Sequence, residues 1–125
     1  MSPATQHKLL DQWREMETAH ARVRESLERS LEREHRLSLS EYEVMQRLAE
    51  DADNPCRMQD LSAESELSQS ALSRLVGRLE GAGYVERLIC DHDRRGVYAS
   101  LTKAGREAQA KAEPTYLQVL GSSLG

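Results

Sequence analysis

A chain of 125 residues is long enough for one domain with a modest core and too short for two independent ones. One Trp, four Tyr and no Phe, beside plentiful Leu, Ala, Arg and Glu, favour a mainly α fold packed by aliphatic side chains, and two cysteines are too few to staple a secreted scaffold. The formal net charge is −4, but residues 38–66 carry two basic and eight acidic groups while residues 67–106 carry seven and four, so an acidic total does not exclude a polyanionic partner.

In chain order, Leu9, Trp13, Met16, Val23, Leu27 and Leu31, with His20 filling the gap, recur at spacings of three and four and define one helical face. The opposite face is charged, so this long first helix needs a partner for its apolar stripe. A second helix is expected from about Glu41, with Ser40 and Glu43 as a capping box and Leu39 stapled to Val44. It should end in the turn-forming run Asp51 to Pro55.

A short helix is expected around 60–66, and then a helix over 69–82 capped by Ser68. Ala71, Leu72, Leu75, Val76 and Leu79 form the apolar face of that helix; Gln69, Ser70, Ser73, Arg74, Gly77 and Arg78 form the other. Gly81 and Gly83 supply the permissive backbone that ends it. The run 84–90 reads as a strand, Asp91 to Gly96 as a polar turn, and 97–101 as a returning strand. Thr102 then caps a last helix that Pro114 is expected to break or kink, leaving 121–125 frayed.

This order of helix, helix, short helix, helix and charged hairpin is that of a winged helix-turn-helix. A helix whose free face carries small polar side chains and Arg suits insertion into the major groove. Arg74 is the candidate for a bidentate contact to guanine, with Ser68, Gln69, Ser70, Ser73 and Arg78 available to bases or phosphates. Arg94 and Arg95 at the hairpin tip suit a phosphate ridge or a narrow minor groove, with Asp93 able to orient one of them. Considered alone, each of these would be an ordinary solvated face or charged turn; their adjacency is what points to DNA.

The segment 37–106 resembles the MarR family of bacterial transcription regulators. The resemblance rests on Leu39, Ser40 and Tyr42 at the second helix, on the run from Leu67 to Glu80, on Gly83-Tyr84-Val85-Glu86-Arg87, and on the wing run from Asp93 and Arg95 through Leu101-Thr102 to Gly105. It implies a homodimer that binds a pseudo-palindromic operator in double-stranded DNA, one recognition helix per half-site, usually as a repressor. It further implies that Asp93 braces the wing while Arg95 reaches the minor groove. The resemblance then divides the chain into a dimerisation helix (1–36), the DNA-binding domain (37–102) and a second dimerisation helix (103–125) that is short or truncated, since little sequence follows Pro114.

Members of the family often respond to small phenolic or amphipathic molecules between the two lobes. Trp13, Met16, His20, Tyr42 and Met45 are the corresponding candidates here, although the same spacing also suits plain core packing. The peroxide-sensing branch keeps its reactive Cys in the first helix, where this chain has none. Cys90 and His92 with the flanking Asp residues are too close in sequence to converge on one ion, so no metal and no cofactor are expected. There is no phosphate-binding Gly loop, no HExxH and no plausible Ser, His and Asp grouping, which argues against an enzyme. No run reaches membrane-spanning length, and the N-terminus lacks a signal peptide's pattern, so a soluble cytoplasmic protein is expected. The rival function is a winged-helix protein-interaction module that uses the acidic 38–66 stretch.

Overall fold

The computed structural model describes residues 1–89 and 96–125. Its elements are α1 (Pro3–His35), α2 (Leu39–Glu50), β1 (Cys56–Arg57), α3 (Met58–Glu64), α4 (Gln69–Gly81), β2 (Val85–Ile89), β3 (Val97–Leu101) and α5 (Lys103–Leu124).

Helix α1 begins six residues before the apolar stripe, because Ser2 accepts the Thr5 amide at 3.2 Å and Pro3 occupies the first turn, where no amide donor is needed. Its 33 residues span about 50 Å. Only its second half reaches the core, through Leu27 and Leu31, with Val23 packed alongside. Arg36 ends it in the left-handed region at φ 55°.

Helix α2 starts two residues earlier than expected. Its cap is Ser38, which accepts the Glu41 amide at 3.0 Å while Glu41 accepts the Ser38 amide at 2.9 Å. Ser40 lies inside the helix, and Leu37 and Tyr42, rather than Leu39 and Val44, take the staple positions. The first amide of α2, that of Leu39, donates to Glu28 of α1 at 3.2 Å, so a neighbouring helix completes the cap.

Strand β1 was not anticipated. It pairs antiparallel with β3 (Cys56 opposite Ala99, Arg57 opposite Tyr98), so the hairpin is part of a three-stranded sheet in the order β1-β3-β2. Two residues give almost no alternation to read. The helix expected around 60–66 begins at Met58, directly after this strand, and stops before Ser65, whose hydroxyl accepts the Leu67 amide at 3.3 Å.

Helix α5 runs through Pro114 to Leu124 instead of breaking or fraying. The proline removes one backbone donor, but packing on both sides keeps the helix in place. Gln109 and Ala112 are buried before it, while after it Tyr116 lies 4.7 Å from the Tyr42 ring and Thr115 shares a 2.8 Å hydrogen bond with His35. The core joins this helix to the second half of α1, to α2, to the inner face of α4 and to the sheet. None of these helices is long and apolar enough to cross a membrane.

Candidate nucleic-acid interface

Helix α4 is capped by Ser68, whose hydroxyl accepts the Ala71 amide at 3.2 Å. Leu72, Leu75, Val76 and Leu79 are buried, and Ala71 is half-buried at the margin of that face. This orientation leaves Gln69, Ser70, Arg74, Gly77 and Arg78 exposed, Ser73 half-buried, and Ser68 exposed at the N-terminal end. Among the described residues, neither Arg74 nor Arg78 is tied up in an ion pair. Both guanidinium groups therefore stand out from the helix with their donors unused by those residues.

One residue at this site escaped sequence reasoning. Arg87, in the middle of β2, donates from Nη2 to the Ser73 carbonyl at 2.6 Å and pairs through Nε with Glu80 at 2.8 Å. The available signal was the strand's alternation: Val85, Arg87 and Ile89 share one face, so a charged group stands where an apolar one is expected.

The β2–β3 ladder runs from Val85 opposite Leu101 to Ile89 opposite Val97. The wing-tip candidates Asp93, Arg94 and Arg95, together with Cys90 and His92, lie outside the described residues. At the other end of the ladder the hairpin is tied to α5: the Thr102 amide donates to the Tyr84 carbonyl at 3.0 Å, and its hydroxyl donates to the Gly83 carbonyl at 2.6 Å and accepts the Gly105 amide at 3.0 Å. Gly83 sits at φ 83°, as the turn after α4 requires. Gly105 is needed for a different reason, since a Cβ there would collide with the Tyr84 carbonyl.

Much of the acidic 38–66 stretch is occupied internally. Glu41 belongs to the α2 cap, Glu43 pairs with Arg24 at 3.8 Å, Asp51 accepts from Asn54 at 3.0 Å, and Glu64 is bound by Arg47. The hydrogen bond from Arg47 holds the Glu64 carboxyl below its usual range and raises the Arg47 guanidinium further above its own.

The five effector candidates are not gathered by a single chain. Trp13, Met16 and His20 are exposed on the first half of α1, whereas Tyr42 and Met45 are fully buried, and Tyr42 accepts from Gln109 at 3.4 Å. The groove between α1, α2 and α3, about 520 Å³, is lined instead by Arg24, Glu43, Val44, Arg47, Leu61 and Glu64, among others. Cys56 is half-buried, and burial pushes its thiol pKa up, away from a reactive thiolate. Among the described residues, no three His, Cys, Asp or Glu side chains gather as a metal site.

A model of the MarR family matches residues 37–96. YwhA of Bacillus subtilis strain 168, an uncharacterized HTH-type transcriptional regulator, is 38% identical over 53 residues; the match spans 42% of this chain and only 38% of that regulator. AbsC, a MarR family transcriptional regulator from Streptomyces coelicolor, superposes with a TM-score of 0.85 at 30% identity, over 98% of this chain and 80% of AbsC. This chain belongs to the MarR family. A further MarR family structure, Sco3205 from Streptomyces coelicolor in complex with DNA, superposes with a TM-score of 0.86 at 29% identity, covering 95% of this chain and 73% of Sco3205. The family model stops before β3 and α5, but the MarR structures cover nearly the whole chain, so the two long helices belong to the shared fold as much as the helix-turn-helix does.

Proposed function

We propose that this MarR family chain is a sequence-specific regulator that binds double-stranded DNA as a homodimer, with α4 in the major groove of each half-site. The observation that carries this reading is the outer face of α4, where Arg74 and Arg78 stand exposed and unpaired with any described residue, behind a helix N-terminus with no acidic side chain in its first turn. Such a face presents donors to base edges and phosphates, and the exposed carboxylate of α4, Glu80, is paired with Arg87. Ser68, Gln69, Ser70 and Ser73 would contact the backbone or bases near the start of the helix, and the wing residues Asp93, Arg94 and Arg95 would follow the flanking groove.

Homodimerisation is supported by the apolar side chains left on the surface: Leu9, Leu10, Trp13 and Met16 on α1, and Leu117 and Leu124 on α5. Repression, with release by a small phenolic or amphipathic effector, is the regulatory mode we assign. An effector would change the spacing of the two recognition helices, so that both half-sites could no longer be engaged together.

Binding to an operator should weaken steeply with salt. Arg74→Ala should cost about 1–3 kcal/mol and relax preference at one operator position. Footprinting across the DNA around the chain's own gene, with and without aromatic acids, tests both the site and the response. Salt-independent binding, unaffected by Arg74→Ala and Arg95→Ala together, would instead identify a protein-interaction module.

A further inference from the structure

We propose that Arg87 is a positioning residue that locks the recognition helix to the hairpin, so that DNA affinity depends on it without its touching DNA; this rests on the DNA-binding reading above. Arg87 sits at the centre of the β2–β3 ladder, opposite the fully buried Ala99, and therefore on the best-fixed part of the sheet. Its strand position points it to the face shared with Val85, and although water could reach its guanidinium there, the group is held by protein partners instead.

The partners come from α4. Ser73, Gly77 and Glu80 are spaced four and three apart and so form one stripe along that helix. Arg87 lies along this stripe: Nη2 meets the Ser73 carbonyl at 2.6 Å, a Cβ on Gly77 would be 3.7 Å from Nη2, and Nε meets Glu80 at 2.8 Å. Ser73 and Glu80 are seven residues apart, about 10 Å along the axis, so one side chain ties two turns of the helix to the strand. Rotation or sliding of α4 against the hairpin would break both bonds. Arg74 and Arg78 alternate with the stripe on the same helix, so its position sets where they meet DNA.

The Glu80 carboxylate neutralises Arg87, which separates this role from a phosphate contact. By charge alone, removing an anion from the DNA-facing helix should tighten binding. If Arg87 positions α4, Glu80→Gln should weaken binding by about tenfold, the size expected for one charge-assisted hydrogen bond. The slope of log affinity against log salt should stay at its wild-type value. Arg87→Met should weaken binding at least as much, again with the slope unchanged.

The experiment measures affinities of wild type, Arg87→Met and Glu80→Gln for a duplex selected by the wild-type protein from a random library, across salt, with thermal melts as the check on folding. Should Arg87→Met fail to fold, Glu80→Gln, a single charge removal at a half-exposed site, decides alone. Tighter binding by Glu80→Gln, a slope that falls by about 0.9 in Arg87→Met, or wild-type affinity in both variants would each overturn the proposal. Failure of the wild type to select any duplex would overturn the DNA-binding reading itself, and this proposal with it.

Discussion

Gly105 shows how a single position carries the join between hairpin and last helix. It lies in the first turn of α5, buried, where a Cβ would strike the Tyr84 carbonyl and come within 3.0 Å of Leu101 Cδ2. A backbone carbonyl cannot swing aside as a side chain does, so Gly105→Ala must shift the hairpin relative to the helix. We expect it to lower stability by about 1–3 kcal/mol, read as a reduced urea midpoint, even though alanine is the better helix former. The tyrosines give a pH signature. Burial raises the pKa of both Tyr42 and Tyr116 above the ordinary 10.0. Below pH 10 their contribution to stability is complete; as pH rises past it, the unfolded chain ionises first and stability falls until the folded tyrosines ionise too. Unfolding midpoints should therefore drop as pH rises above about 10, and Tyr116→Phe should flatten that fall.

Among the elements, α2 is the instructive one because its sequence offers two overlapping capping boxes. Ser38 stands three residues before Glu41 and Ser40 three before Glu43, so local rules fit either start. The structure uses the first. Starting at Leu39 buries Leu37, Leu39 and Tyr42 together and places the Leu39 amide within reach of Glu28. Glu43 is then free to pair with Arg24. Ser38→Ala is expected to cost about 1 kcal/mol and Ser40→Ala only a few tenths, a contrast that denaturant unfolding of the two variants measures. Reversed magnitudes would put the start of α2 back at Glu41. Helix α5 makes the same point, since Pro114 is a breaker by local rules and is overruled by the contacts of Gln109, Ala112, Thr115 and Tyr116 on either side.

For the whole molecule, the first half of α1 is the feature to explain. Every residue from Met1 to Arg22 is exposed, and Trp13 and Met16 remain 57% and 58% accessible. An isolated helix with such a stripe is marginal in water and needs a partner surface. If that partner is a second copy, Trp13→Asp should shift sedimentation from dimer to monomer. Operator affinity should fall by far more than Arg74→Ala causes, because two linked half-sites become one. A dimer unchanged by Trp13→Asp would place the interface elsewhere.

Composition and periodicity by themselves determined the mainly α class, the first helix, the two faces of α4, the Ser68 cap and the strands about a polar turn, because each depends on interactions within a few residues. The wing-run glycine, Gly105, was visible as a motif, but its necessity was not. Tertiary structure alone decided which serine caps α2, that Cys56 and Arg57 add a third strand, that α5 continues past Pro114, and that Arg87 joins the sheet to α4. Each of these depends on a partner distant in the chain, such as Glu28 for Leu39, Ala99 for Cys56, Tyr42 for Tyr116 and Ser73 for Arg87. Local pattern can show that a group needs a partner, but only the packed chain shows which one it meets.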